Sequence, residues 1–111
     1  MSEESSLIYN KALDILSRRE HSAKELIFKL EKKFDSTEEI FLTVSKLKKN
    51  NLLNDFRYAE AYVVARKRKG FGPKKIKFEL LSKGIDESDI HKVLNEEGGW
   101  KKAAKNAFDK K

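Results

Sequence analysis

A run of basic residues in the middle of this sequence has the composition of a binding site for a large anion. Between Arg66 and Lys83 there are eight basic residues and a single acid, Glu79. The whole chain has 25 basic and 18 acidic residues, so the rest of it holds 17 of each and the net charge of +7 comes from this segment. Such one-sided charge favours a phosphate backbone or an acidic protein surface as partner, and the sequence does not choose between them.

The turn inside this segment, Gly70–Pro73, also indicates an anion. Proline suits the first position of a helix, which places Lys74 and Lys75 in the first turn. Cations there oppose the helix dipole by about 0.3–1 kcal/mol each, whereas a bound anion would be held by the free amides and the lysines together. Phe71 could stack on a base or pack into the core. The alternative interpretation is that the lysines cover a solvated helix face and the glycines only shape a turn.

Nine basic residues are therefore the candidate positions for binding a partner or DNA. Seven belong to the segment just described, and two, at the equivalent place earlier in the chain, have Glu20 and Glu25 nearby and are equally consistent with a solvated pair. The candidates are Arg66, Lys67, Arg68, Lys69, Lys74, Lys75, Lys77, Arg18 and Arg19.

Catalytic and metal-binding chemistry finds little support in the sequence. There is no cysteine, no glycine-rich phosphate loop and no nucleophile elbow. The two histidines, His21 and His91, are far apart and lack nearby ligands, so we expect them to be exposed and inert. We therefore expect no enzymatic activity, no metal and no cofactor.

The elements that must position the basic segment are helices only. Apolar residues recur at spacings of three and four, and no apolar alternation has the length of a strand. Ser22 with Glu25 and Ser36 with Glu39 predict capping boxes, while Gly70 and Gly84 predict helix ends. The predicted helices span residues 6–18, 22–33, 36–50, 54–69, 73–83 and 86–96, with a seventh from about residue 100.

The helices form a repeat of about 50 residues, and each repeat contains three helices. The pairs at this offset are Ser22 with Gly72, Leu26 with Ile76, Phe28 with Phe78, Leu30 with Leu80, Lys33 with Lys83, Ile40 with Ile90 and Val44 with Leu94. The first helices pair with a slip of one residue, which aligns Ala12 with Ala61 and Ile15 with Val64. Such a period indicates a tandem array.

The predicted fold class is therefore all-α, with tandem three-helix repeats in an elongated, curved array of either hand. We assign residues 1–52 to the first repeat, 53–98 to the second and 99–111 to a partial third repeat or tail. Trp100 opens this last part and has no obvious packing partner without a third repeat.

Three motifs, together with the repeat, resemble the RecX family of bacterial recombination regulators. They are Arg18-Arg19-Glu20-His21-Ser22, Leu53-Asn54-Asp55-Phe56-Arg57-Tyr58-Ala59 and Lys69-Gly70-Phe71-Gly72-Pro73-Lys74-Lys75-Ile76. The resemblance covers about residues 7 to 100. Family members usually carry three three-helix units, and this chain stops inside the third, as a short or a truncated member would.

The resemblance implies a non-enzymatic regulator of homologous recombination, DNA repair and the SOS response. Proteins of this family bind RecA, especially its filament on single-stranded DNA, lie along the filament groove and usually suppress its recombinase and ATPase activities; some also bind DNA directly. One alternative is a helix-turn-helix-like DNA-binding module that acts without RecA. Another is an adaptor that binds only acidic protein surfaces.

The location expected from the sequence agrees with such a role. The N-terminus is acidic and lacks an apolar run, so we expect no signal peptide. No stretch approaches the roughly 18 apolar residues of a membrane span. We expect a cytoplasmic, monomeric protein with no membrane partner.

Overall fold

A computed structural model describes residues 3–100 of the chain, and within this range it contains six α-helices and no strand. The helices are α1 (Glu3–Arg18), α2 (Ala23–Glu31), α3 (Thr37–Lys49), α4 (Asp55–Arg68), α5 (Pro73–Ser82) and α6 (Glu87–Glu97). Each begins and ends close to its predicted bounds, which confirms the all-α class. The predicted seventh helix lies almost wholly outside the described residues.

The chain divides into two compact units, each with three helices, and the division falls between Asp55 and Phe56. The first unit contains α1 to α3, and the second contains α4 to α6, with the boundary at the first residue of α4. The tandem three-helix repeat predicted from the sequence is confirmed.

Each unit has its own apolar core. The core of the first unit consists of Ile8, Ala12, Ile15, Ala23, Leu26, Leu30, Ile40, Val44, Leu47 and Leu53. The core of the second consists of Tyr58, Ala59, Val63, Ile76, Leu80, Ile85, Ile90 and Val93. Since a helix contributes one face to such a core, the buried residues recur every three or four residues along the helices.

The 50-residue correspondence holds in the second helix of each unit, because Leu26 and Ile76 are both buried, as are Leu30 and Leu80. The one-residue slip proposed for the first helices is wrong. Ala61 and Val64 are exposed, whereas Ala12 and Ile15, their supposed counterparts, are buried. The second unit buries Ala59 and Val63 instead. Small and apolar residues lie all around α4, so the pattern alone did not define its inner face.

The helix starts show which capping predictions were right. Ser22 and Glu25 form the complete capping box of α2, with reciprocal bonds of 3.2 Å. At α3 the Ser36 side chain accepts from the Glu39 amide at 3.3 Å, but the Glu39 carboxylate accepts a bond from the Ser5 hydroxyl of α1 rather than completing the box. The box predicted there is therefore only half formed, because a tertiary partner competes for the carboxylate.

Trp100 packs against the core of the second unit, contrary to the expectation that it has no partner. Its indole N–H donates to the Leu94 carbonyl at 2.8 Å, in the last turn of α6. The same carbonyl accepts the backbone N–H of Gly98, the C-cap residue, at 3.1 Å, so the indole bond adds to the cap and satisfies the N–H of the ring. Trp100 therefore closes the end of the second unit.

Candidate anion-binding interface

The basic segment occupies the end of α4, the connecting turn, and α5 as far as its C-cap residue, Lys83. Gly72 is the N-cap residue of α5 and has no side chain to accept a bond from the first amides, and Pro73 follows it. The first turn of α5 contains no acid. At the equivalent start of α2, the Ser22 side chain accepts from the Glu25 amide, and the Asp55 carboxylate accepts from the Ala23 amide at 2.7 Å. The start of α5 has no side-chain cap and presents its amides together with Lys74 and Lys75.

Arg66 is paired within the second unit, so its charge does not remain an unpaired cation. Its Nε and Nη2 donate to the two carboxylate oxygens of Glu79 at 3.0 and 2.9 Å, and its guanidinium lies 3.8 Å from the centroid of the Phe71 ring. The Tyr62 hydroxyl donates to the same carboxylate at 3.0 Å. A bidentate pair of this kind has a defined geometry, so Arg66 links the end of α4 to the middle of α5.

These contacts also set the electrostatics of Glu79. The hydrogen bonds from Arg66 lower the pKa of the Glu79 carboxyl, and the bond from Tyr62 and the charge of Lys75 act in the same direction. The only acid of the basic segment therefore stays ionised at a lower pH than an ordinary glutamate, although partial burial opposes this. Glu79 neutralises one cation of the segment, Arg66.

Lys67 is also engaged within its unit. Its ammonium donates to the Gly98 carbonyl at 2.7 Å, lies 3.4 Å from a carboxylate oxygen of Glu97, and lies 5.1 Å from the Trp100 ring centroid. A cation suits the C-terminal end of α6, where carbonyls are unpaired and the dipole is negative. Lys67 therefore stabilises the end of α6, where Trp100 packs against the core of the second unit.

Three candidate cations are exposed and have no ion-pair or hydrogen-bond partner within residues 3–100. They are Arg68, Lys69 and Lys74. Lys75 is 59% exposed, with its ammonium 4.0 Å from Glu79, at the limit of an ion pair. Lys77 pairs with Glu87 at 3.5 Å, and both side chains are exposed. Such exposed pairs contribute little, typically about 0–1 kcal/mol, so both lysines can exchange their partner for an external anion at small cost.

The outer face of α5 also carries apolar side chains whose exposure the sequence did not reveal. Phe78 is 74% exposed, and Leu81 is exposed as well. Lys74, Phe78 and Leu81 follow the spacing of one helix face, while Ile76 and Leu80 point to the core. The sequence contained one indication of this exposure. Ile76 and Leu80 are four residues apart and share a helix face, whereas Phe78 is two residues from each and therefore lies on the opposite side.

Phe28 repeats this feature in the first unit, where it is 60% exposed on α2. It lies 50 residues before Phe78, and Lys24 lies 50 residues before Lys74. Both units therefore present a lysine and, four residues later, an exposed phenylalanine. Neither ring is buried in the core of its unit, and both lie at the same position of the repeat.

Arg18 and Arg19 lie at the end of α1 and just beyond it. Arg18 is 3.5 Å from Asp14, one turn earlier in the same helix, and Arg19 is 3.4 Å from Glu25 of the α2 capping box. Arg19 also donates to the Glu20 carbonyl at 2.8 Å. Both arginines thus have local partners, and both remain exposed.

His21 is buried, contrary to the expectation of an exposed and inert side chain, with 1% of its surface accessible. Its Nδ1 bonds to the Arg19 carbonyl at 2.9 Å, and its Nε2 lies 2.7 Å from the Lys29 ammonium. Because an ammonium can only donate, Nε2 must accept, and the proton of the neutral ring is on Nδ1. Burial lowers the pKa of His21, and the charges of Arg19 and Lys29 lower it further, against the Arg19 carbonyl bond, which raises it.

Residues 3–100 contain no group of three or more histidine, aspartate and glutamate side chains placed to hold a metal ion. None of the helices in the described range is long and apolar enough to cross a bilayer.

Comparison with known proteins identifies the repeat. The family model for the first three-helix domain of RecX matches residues 9–47, and the model for its second three-helix domain matches residues 54–94. The chain belongs to the RecX family. The two matched segments coincide with the three-helix units of the structure.

Relatives and solved structures of RecX agree with this membership. The chain is 38% identical over 104 residues to the regulatory protein RecX of Legionella pneumophila (strain Corby), covering 93% of this chain and 69% of that protein. It is 34% identical over 105 residues to the regulatory protein RecX of Pseudomonas syringae pv. tomato, covering 94% and 68%. The crystal structure of RecX from Lactobacillus salivarius superimposes with a TM-score of 0.83 at 32% identity, covering 94% of this chain and 67% of that one.

Proposed function

We propose that this RecX-family chain regulates homologous recombination and DNA repair by binding the RecA filament on single-stranded DNA and inhibiting its recombinase and ATPase activities. Relatives with the same two three-helix domains are named regulatory proteins, which supports a regulatory role. The observation that carries the binding site is the basic segment. Three of its outward cations, Arg68, Lys69 and Lys74, have no side-chain partner within residues 3–100, and Lys75 and Lys77 have only exposed or marginal ion pairs. These cations lie around a helix start that has no acid and no side-chain cap.

The binding surface comprises the exposed residues of the connecting turn and of the outer face of α5. Arg68, Lys69, Lys74, Lys75 and Lys77 supply charge, and Phe78 supplies an apolar contact or a ring for base stacking. Arg66 and Lys67 hold the end of α4 in place within the unit, which orients this surface. Arg18 and Arg19 contribute a weaker second contact in the first unit.

The repeated Lys-Phe pair suits a partner that is itself a repeating polymer. A filament presents the same protein surface and the same phosphate spacing at regular intervals, so two units with similar outer faces can each make a similar contact. Binding through two modules raises the overall affinity well above that of either one. This favours the filament over an isolated acidic protein as partner.

Reversal of three lysines on α5 tests the site. Lys74→Glu, Lys75→Glu and Lys77→Glu together should abolish suppression of RecA's ATPase, because an attractive surface becomes repulsive. The fold should survive, since these side chains are exposed and α5 gains acids in its first turn, where the dipole favours them. The measurement is ATP turnover by RecA on single-stranded DNA against regulator concentration.

The matched control reverses three exposed lysines elsewhere, Lys48, Lys49 and Lys92, with the same change in net charge. It should keep most of the suppression. Equal loss in both triple variants would show a nonspecific charge effect, and unchanged suppression in the α5 variant, with helix content intact by circular dichroism, would refute the site. Tight, salt-dependent binding to duplex DNA without RecA would instead favour the helix-turn-helix-like alternative.

The same proposal implies a cytoplasmic protein, where RecA and the chromosome lie, and a monomer that places one copy at each binding position. Light scattering of the purified chain, alone and at the concentrations of the ATPase assay, tests the monomeric state.

A further inference from the structure

A concave cleft in the first unit is lined mainly by cations and lies apart from the surface discussed above. It has a volume of about 400 Å³ and lies between the C-terminal half of α1, the turn that follows it and one side of α2. Its lining contains six cations, one carboxylate, a buried histidine and one apolar side chain. These residues are Lys11, Arg18, Arg19, Lys29, Lys32, Lys33, Asp14, His21 and Ile15.

The carboxylates near the cleft neutralise only part of this charge. Asp14 serves both Lys11 at 3.6 Å and Arg18 at 3.5 Å, and Glu25 pairs with Arg19 at 3.4 Å. Within residues 3–100 no carboxylate lies within ion-pair distance of Lys29, Lys32 or Lys33, all of which come from the second half of α2 or its end. The lining therefore carries six cations against Asp14 and, through its pair with Arg19, Glu25. One of these cations, Lys32, also has its ammonium over the Phe28 ring, 4.6 Å from the ring centroid.

Lys29 is held in place more firmly than an ordinary surface lysine. Its ammonium donates to Nε2 of His21 at 2.7 Å, and the other ring nitrogen of His21 donates to the Arg19 carbonyl at 2.9 Å. Because the His21 ring is buried, this chain of bonds gives the lysine one position at the cleft wall. A solvated lysine coat would have no such support, and a pre-positioned ammonium is what a phosphate site requires.

We propose that this cleft binds a compact polyphosphate, such as inorganic pyrophosphate or the phosphate chain of a nucleoside di- or triphosphate, independently of the α5 surface. Lysines bind phosphate as point charges, and the two arginines can add directional bonds at the rim. A volume of about 400 Å³ lies within the range of small-molecule sites, roughly 300–1,000 Å³. Neighbouring phosphates of a nucleic-acid strand offer the same chemistry, and the experiment below separates the two sources.

Binding of an anion has a spectroscopic consequence at His21. The cations around the ring disfavour its protonation, and a phosphate placed among them would offset their charge. The pKa of His21 should therefore rise on binding. The chain has only two histidines, and the other, His91, lies in α6 of the second unit, so its ring serves as an internal reference.

The test is a titration of the full chain with pyrophosphate at low salt, followed by the proton signals of the two histidine rings. We expect the His21 signals to shift with saturation and its pKa to rise, while the His91 signals stay in place. A second titration with a short oligothymidylate distinguishes the sources. A response to pyrophosphate shows the compact polyphosphate site, and a response to the oligonucleotide alone replaces it with a strand-backbone site and overturns the proposal in its stated form.

Two double variants show whether the response comes from the cleft. Lys32→Gln with Lys33→Gln should weaken pyrophosphate binding about tenfold or more, because two charged hydrogen bonds are lost. Lys48→Gln with Lys49→Gln removes the same charge at the end of α3 and should leave binding within about twofold. Neither pair touches the buried His21, so both variants should fold. No saturable shift at His21, equal shifts at His91, or equal loss in both variants would overturn the proposal. None of these outcomes depends on RecA, so this site and the α5 surface succeed or fail separately.

Discussion

At the scale of single residues, the structure separates basic side chains that hold the fold together from those that face outward. Arg66 and Lys67 are adjacent in a run of four cations, yet each bonds to an acceptor of its own unit. Arg68 and Lys69 follow directly and have no such partner within the described residues. In the sequence these four residues cannot be told apart, because all of them are cations at the end of one helix. The difference arises because only two of them point toward α5 and the end of α6.

His21 gives the first unit a stability that depends on pH. The pKa of the buried ring lies below its ordinary value, so the unfolded chain binds a proton more readily than the folded chain. The stability is therefore complete above about pH 6.5, and it falls as the pH decreases through the pKa of the folded state. Protonation would also put a second cation against the Lys29 ammonium, only 2.7 Å from Nε2.

His21→Phe tests this dependence, because the second unit has Phe71 at the equivalent position. We expect urea unfolding of the native chain to show lower stability at pH 5.5 than at pH 7.5, and His21→Phe to reduce that difference. His91→Gln, which removes the exposed histidine of α6, should keep it. An equal fall in stability in the native chain and His21→Phe would assign the effect to carboxylates instead.

At the scale of the helix, the start of α5 lacks the side-chain cap and the acid that stabilise the start of α2. At the corresponding start of α2, Ser22 and Glu25 form a capping box and the Asp55 carboxylate accepts from the Ala23 amide. The glycine cap of α5 leaves amides open beside two lysines. Since the two helices occupy the same position in their units, this contrast is the basis for the proposed anion site at α5.

Two substitutions at Gly72 separate stability from binding. A Cβ at this position meets nothing within 4 Å, and the backbone has φ −84°, so a side chain fits. Gly72→Ser and Gly72→Asp should both stabilise the chain by roughly 0.5–1 kcal/mol, through capping and a more restricted unfolded chain. Only Gly72→Asp places a negative charge at the proposed anion site, and it should weaken RecA suppression severalfold more than Gly72→Ser.

Thermal unfolding and the ATPase assay measure the two effects on the same samples. Equal suppression by both Gly72 variants would remove the start of α5 from the interface. A loss of stability in both would mean that the backbone here does not accept a side chain, contrary to the open space around Gly72.

At the scale of the whole molecule, the repeat means that the same surface feature, an exposed phenylalanine, occurs once in each unit. Each unit closes its own core and leaves a phenylalanine exposed at the same place on its second helix. A buried aromatic would stabilise its unit, but these rings are mostly in water. Their contribution is therefore expected in a complex rather than in the free chain.

Phe28→Ala and Phe78→Ala should each change the free energy of unfolding by less than about 0.5 kcal/mol, because exposed side chains contribute little. Each should weaken binding to RecA filaments, and the double variant should weaken it further if both units contact the polymer. Fluorescence anisotropy of labelled filaments measures the affinity, with Leu7→Ala, an exposed apolar residue of α1, as the control. Native affinity in both single variants would exclude the repeated rings from the interface.

The sequence alone determined much of this protein: six helices, their approximate bounds, the 50-residue repeat, the family and the segment that carries the net charge. These features depend on local rules, namely apolar periodicity, caps and breakers, which a chain displays residue by residue. Only the tertiary structure decided which side of α4 is buried and that Arg66, Lys67 and His21 bond inside their units. It also decided that Trp100 packs against a core, whereas Phe28 and Phe78 are mostly exposed. Those outcomes depend on which distant groups meet, because the environment of a side chain is set by its neighbours in space, and its own position in the sequence does not reveal them.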